Sequence, residues 1–230
     1  MTIKKLREIL VQYNMSENFI KRIFTSIALL ILLFIIMINN LALGVVLMIL
    51  GIFSLLEFFN ISHKIFKKKK LKKFIFNIIF TIYIFTFCSY FFSISFFLHL
   101  KLILFLILIT CVVSDIGGFV FGKIFKGPKL TKISPNKTIS GAIGSLLFSS
   151  SVLSLSFYLI TENFDFYLLI IGCLISISCQ IGDLFFSFLK RKSSIKDSGN
   201  FLPGHGGVLD RVDGLLLGIP IGFLVLLLFY

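Results

Sequence analysis

Residues 182–214 read GDLFFSFLKRKSSIKDSGNFLPGHGGVLDRVDG, a dense cluster of acids, bases and glycines in a chain made largely of apolar runs. Its first eight residues continue an apolar run that ends at Lys190, and its last residue opens another. Polar groups placed against hydrocarbon are expensive to keep, so a dense set of them marks a functional site. The runs that flank it decide the fold.

Of the 230 residues 57% are hydrophobic and 14% charged, and the mean hydropathy is +1.04. A soluble domain of ordinary composition carries about 25% charged residues. Apolar runs of roughly 18 or more residues, enough to cross a bilayer as helices, recur along the chain. Working outward from residues 182–214, spans are expected at 166–189 and 215–230, and before them at 23–39, 41–59, 74–98, 100–121 and 139–160. The expected fold is therefore an all-α polytopic integral membrane protein of about seven transmembrane helices. The two spans that meet near residues 93–99 have little punctuation between them. Residues 1–22 are polar and basic with Ile3, Leu6, Leu10 and Tyr13 at helical spacing, the pattern of an amphipathic helix on the membrane surface. The first apolar run lacks a small-residue cleavage site and is followed at once by another, so it reads as an uncleaved helix. The whole chain reads as one membrane domain, with N-terminal spans over residues 1–98 and a catalytic half over 99–230.

Charge sets the orientation. The net charge is +13, and 22 of the 23 Lys and Arg residues fall in four groups: before the first span, at 64–73, at 123–137 and at 190–211. Each group is separated from the next by two spans, while the connections at 39–40, 93–99 and 161–165 carry no basic residue. The positive-inside rule then places the N terminus in the cytoplasm, the C terminus outside, and every polar loop on the cytoplasmic side. The remaining cation, Lys101, is expected to snorkel from an outer helix end. Basic loops of this kind face anionic lipid, and no aromatic residues interleave them as a single-strand binder would need, which argues against a nucleic-acid partner. Cys88, Cys111, Cys173 and Cys179 lie inside apolar runs without metal-ligand spacing and read as small fillers.

Three acids lie inside spans. Glu57, Asp115 and Asp183 each precede a basic group by seven or eight residues, which puts each about 10 Å from its cytoplasmic end. Carboxylates at one depth are expected to line one polar cavity. A local Lys partner or a helix cap is the alternative for Glu57, and the residues leave both open. Asp183, Ser187 and Arg191 share one helix face with Lys190 beside them, and Asp210, Arg211 and Asp213 follow at the start of the next helix. Carboxylate, hydroxyl and cations in this order suit a metal-bridged phosphate. The glycines at 199, 204, 206 and 207 let backbone approach phosphate closely. Oxygen ligands alone point to Mg²⁺.

Ser187-x2-Lys190-Arg191-x4-Lys196-Asp197-x-Gly199-x3-Pro203-Gly204-His205-Gly206-Gly207-x2-Asp210-Arg211-x-Asp213 resembles the signature of the phosphatidate cytidylyltransferases. A second block, Ser114-Asp115-Ile116-Gly117-Gly118-Phe119, then Gly122-Lys123 and Ser134-Pro135-Asn136-Lys137-Thr138, resembles that family's Asp-x-Gly turn and its Ser-Pro-x-Lys-Thr element. Two family acids are missing, at Ser140 and Phe186. The resemblance covers about the C-terminal half. It implies transfer of CMP from CTP to phosphatidic acid, giving CDP-diacylglycerol and pyrophosphate, by an enzyme of the cell inner membrane. It also implies Mg²⁺ on Asp183 and Asp210, as one ion or two, with or without a monovalent cation, and it allows a homodimer. Asp183, Ser187, Lys190, Asp210 and Arg211 take the catalytic roles. Asp115, Lys123, Ser134, Lys137, Arg191 and Lys196 take substrate-binding roles, as do Asp197, His205, Gly206, Gly207 and Asp213. The rival chemistry is a CTP-dependent kinase of a polyprenol-like lipid, which would release CDP. A transporter or scaffold would instead show inverted repeats and matching broken spans, and the polar residues crowd into one half.

Overall fold

The computed structural model describes residues 27–67, 69–199, 201 and 206–229. The expected surface helix over residues 1–22 and the start of the first span lie outside the described residues, as does His205. Among the described residues there are seven helices: α1 (Ile27–Ile38), α2 (Asn40–Ile65), α3 (Lys70–Ile94), α4 (Leu98–Phe125), α5 (Ile139–Thr161), α6 (Phe166–Lys192) and α7 (Leu209–Phe229). The six from α2 to α7 are long and apolar enough to cross a membrane. Helices satisfy their own backbone, which is why such runs take this form in hydrocarbon.

Local chemistry sets the boundaries. Asn39 caps α2 by accepting from the Leu41 and Ala42 amides at 2.8 and 3.3 Å. Thr138 caps α5 through the Gly141 amide at 3.1 Å. The poorly punctuated join between spans is a real break: α3 ends at Ile94 and α4 begins at Leu98, with buried Ser95 donating to the Phe92 carbonyl at 2.7 Å. α3, α4 and α6 each run a few residues further into the basic segments than hydropathy alone suggests. α7 begins at Leu209 rather than near 215, so Asp210 and Asp213 belong to its first turns.

α4 packs on α5, α6 and α7, and α2 pairs with α3. Small residues make these contacts close, as is usual where lipid tails are as apolar as the side chains. A Cβ at Gly172 of α6 would stand 2.5 Å from the Ser150 Cα of α5. Buried serines tie the same helices: Ser114 and Ser176 share a hydrogen bond of 2.7 Å, and Ser145 donates to the Ser114 carbonyl at 2.8 Å. Leu41, Ile79, Leu159 and Leu228 are among the many large apolar side chains that face outward. In water such a surface would aggregate; in hydrocarbon it is the lipid-facing wall. The four cysteines are free.

Lys101 departs from expectation. Rather than snorkelling, it is buried at 6% exposure, and its Nζ donates to Asn40 Oδ1 at 2.6 Å. The start of α2 lies against the start of α4, which brings the Asn40 amide oxygen to the Lys101 ammonium. Phe186, where the resemblance expects an acid, is buried against Phe80 with ring centroids 6.0 Å apart. A charge there would sit in the core.

The α5–α6 approach gives a direct test. Gly172→Leu should lower stability by about 3 kcal/mol, because the added side chain meets backbone and cannot be relieved by a rotamer change. Thermal unfolding of the detergent-solubilised protein reads this, and an unchanged midpoint would contradict the packing.

Candidate active site

The polar site forms at the end of the bundle where α2, α4 and α6 finish and α3, α5 and α7 begin. α4 ends in a turn with Lys126 and Gly127 at positive φ. The chain from there to α5 folds back on itself: the Leu130 amide donates to the Lys137 carbonyl at 2.8 Å, and the Ile139 amide to the Pro128 carbonyl at 3.0 Å. This narrow hairpin carries Ser134, Asn136 and Lys137 over the mouth of a cavity of about 360 Å³. Asp115 of α4 and Asp183 of α6 line the same cavity, with Thr138, Ser145 and Gln180. Lys137 and Asp183 form an ion pair there, each side chain a little under one-third exposed. The other Asp183 oxygen accepts from Ser187 Oγ at 3.2 Å, one helical turn further on.

Gly118 and Gly141 let α4 and α5 approach beneath this cavity. A Cβ on Gly118 would lie 2.6 Å from Ser145 Oγ, and one on Gly141 would lie 2.7 Å from the Gly118 carbonyl. The Gly-Gly pair after Asp115 is thus a packing device that brings the Lys137 hairpin close to α4. Gln180 and Ser145 escaped the sequence reading. Gln180 lies three residues before Asp183, on the same helix face, and donates to the Ala142 carbonyl at 3.4 Å. Its polar side chain inside a span was the available signal.

A second group lies between α6 and α7. Lys190 Nζ donates to Asp210 Oδ1 at 2.7 Å and stands 3.5 Å from Asp213 Oδ2. All three side chains are only 11–12% exposed. Asp210 Oδ2 accepts from the backbone amides of Ser198 and Gly207 at 2.8 and 3.1 Å. Gly206 has φ +84°, where a side chain would be strained, and a Cβ there would come 3.2 Å from Asp210 Oδ2. Asp210 is therefore held by three donors. The acids within the field of Asp183 are Asp115 and Asp213, and Arg211 acts on Asp115. Asp183 and Lys190 both stand on α6, so one helix carries a member of each group.

The remaining predicted residues do not line the cavity. Lys123 is exposed and lies 5.7 Å over the Phe119 ring. Arg191, Lys196 and Asp197 are also exposed. Glu57 does not line the cavity with Asp115 and Asp183. It is buried, and it caps α7 by accepting from the Val208 and Leu209 amides at 2.9 Å each. Among the described residues no three His, Cys, Asp or Glu side chains form a ready metal cage. Mg²⁺ does not demand one, because it is commonly held by one or two carboxylates, substrate phosphates and water. The oxygen-only acids around Asp183 fit that habit.

Fold and site together define a multi-pass membrane protein whose one polar end presents paired acids and cations beside a cavity. Over residues 1–229 the sequence matches the family described as the Cytidylyltransferase family. The chain belongs to that family. A protein of Rickettsia bellii named phosphatidate cytidylyltransferase is 47% identical over 127 residues, covering 50% of this chain and 54% of the relative. Proteins of the same name from Helicobacter pylori and Staphylococcus haemolyticus are 43% and 42% identical over 110 and 111 residues. These stretches cover 41% and 43% of those two relatives. The chain spans about half the length of the curated relatives it matches.

The Lys190 group can be tested by stability. Lys190→Met leaves Asp210 and Asp213 facing each other with no ammonium between them, and should cost about 3 kcal/mol. Adding Asp213→Asn should recover part of that loss, which a denaturant titration followed by circular dichroism would measure.

Proposed function

We propose that this protein transfers CMP from CTP to phosphatidic acid, forming CDP-diacylglycerol and pyrophosphate. The observation that carries the reading is the Lys137–Asp183 pair at a cavity shared with Asp115. It joins the two sequence blocks that resemble the phosphatidate cytidylyltransferases, and the relatives' shared name supports it. The cavity's volume of about 360 Å³ falls within the range of about 300–1,000 Å³ usual for small-molecule sites.

In this reaction a phosphate oxygen of phosphatidate attacks the α-phosphorus of CTP in line. The new P–O bond forms as the bond from the α-phosphorus to the bridging oxygen breaks, and pyrophosphate leaves with the electron pair. No covalent help from the protein is needed; positioning and neutralisation of charge carry the step. Lys137 and Lys190 are each paired to a carboxylate before substrate arrives. Exchange of a carboxylate for a substrate phosphate would let each lysine hold the nucleotide without leaving a buried charge alone. Ser187 and Ser134 orient phosphate oxygens, and Arg211 adds positive charge on the Asp115 side. Arg191, Lys196 and Lys123, all exposed, draw the anionic substrates in.

Mg²⁺ would be held at Asp183, with Asp115 and Asp213 as its acid neighbours, and would supply Lewis-acid charge to the triphosphate. Asp210 joins that set only if Lys190 gives up its Oδ1. We place the site on the cytoplasmic side of the inner membrane, because the basic segments after α2, α4 and α6 lie at the same end of the bundle as the cavity. CTP would enter from the cytoplasm and the diacyl substrate from the bilayer.

The test is an assay of purified protein with Mg²⁺, phosphatidate and CTP labelled in the α- or γ-phosphate. Label from the α-position should enter lipid and label from the γ-position should leave as pyrophosphate. Transfer of γ-label to lipid would favour the kinase chemistry instead. Asp183→Ala and Lys137→Ala should each slow transfer by about 100-fold, the scale of losing one preorganised charge at a reacting phosphate. Chelation of Mg²⁺ should abolish it.

A further inference from the structure

Among the described residues, Glu57 is the one buried carboxylate that the transfer chemistry leaves without a task. It sits on α2, in the N-terminal half, at 6% exposure. Its two oxygens accept three hydrogen bonds from a segment 141 to 152 residues later in the chain. Ser198 Oγ donates to Oε2 at 2.6 Å, the Val208 amide to Oε1 at 2.9 Å and the Leu209 amide to Oε2 at 2.9 Å. The first amides of a helix lack partners within it and carry its positive pole. Val208, just before α7, has no side-chain oxygen with which to cap them. A carboxylate from another helix does so instead.

Ser198 makes this more than a cap. Its hydroxyl goes to Glu57, while its backbone amide goes to Asp210 Oδ2, which the Gly207 amide also reaches. Two carboxylates on different helices therefore grip the two ends of one loop. The neighbouring glycines make room for this arrangement. A Cβ on Gly199 would collide with the Glu57 carboxylate, and one on Gly207 would collide with Glu57 and with Ser198 Oγ.

We propose that Glu57 is a positioning residue for the transfer reaction. By tying Ser198 to Val208 and Leu209 it sets the angle at which the first turns of α7 present Asp210 and Asp213 to Lys190. Charge matters as well as shape, because three donors converge on it; a glutamine of the same size offers one acceptor and turns an N–H₂ toward them. The catalytic part of this inference rests on the proposed cytidylyl transfer, whereas the clasp itself does not.

The test compares the full-length protein with Glu57→Gln, Glu57→Asp and Ser198→Ala, with Glu162→Gln at the opposite end of the bundle as control. Hydrogen–deuterium exchange in detergent micelles reads the clasp. The Val208 and Leu209 amides, which donate to Glu57, should exchange about tenfold faster in Glu57→Gln, the scale of losing a hydrogen bond to a charged group, with α4 and α5 unchanged. The initial rate of CMP transfer should fall about tenfold in the same variant. Glu57→Asp should recover part of the rate, and Ser198→Ala should add nothing to Glu57→Gln. Exchange and rate both within twofold of wild type would overturn the proposal, as would faster exchange with an unchanged rate. Should Glu57→Gln fail to fold, Glu57→Asp and Ser198→Ala carry both measurements. A wild type that forms no CDP-diacylglycerol, with the exchange pattern as expected, would refute the transfer reading and uphold the clasp.

Discussion

A charge inside a bilayer must be met by an opposite charge or by hydrogen-bond donors, and this constraint governs the polar end of the molecule. Four acids there have a direct answer. Asp183 has Lys137, Asp210 and Asp213 share Lys190, and Glu57 has three donors from the loop before α7. None of these partners is a neighbour in sequence. The pairings therefore hold distant helices at fixed distances, and the site and the fold become the same set of contacts.

Close helix packing is what brings the partners within reach. The small residues of α4 and α5 let the backbones nearly touch below the cavity, so the hairpin before α5 overhangs α4 and delivers Lys137 to α6. Between α6 and α7 the approach is similar: a Cβ on Gly182 would lie 2.6 Å from the Asp213 carbonyl. That contact places Asp213 beside the turn of α6 that carries Asp183. Bulkier residues at these points would separate the carboxylates from their cations, at a cost in stability and in site geometry together. Phe186 shows the same economy from the apolar side, because the core claims the position of a missing acid.

Much of the site was legible because its chemistry is written in short blocks. Asp183, Ser187 and Lys190 follow from helical spacing, and the glycines after Lys196 announce a loop that must approach something closely. What spacing cannot give is a pairing between blocks. That Lys137 answers Asp183, or that Gln180 and Ser145 join the same cavity, depends on how α4, α5 and α6 are stacked. Asp115, Asp183 and Glu57 sit at comparable depth in the sequence, yet only the first two share a cavity. Depth along a span is a one-dimensional quantity and carries no direction around the helix bundle.

The amino-acid sequence by itself determined that the chain is an all-helical membrane protein, roughly where its spans lie, and that its basic residues cluster in alternate connections between spans. Those properties follow from hydropathy and charge counted along the chain, which need no knowledge of packing. Tertiary structure alone decided that Lys101 is buried on Asn40 instead of reaching water. It also decided that Asp210 is gripped by a loop, and that a glutamate of α2 caps α7. Each of these depends on which helix stands next to which, and on side-chain distances of a few ångströms that no local pattern encodes.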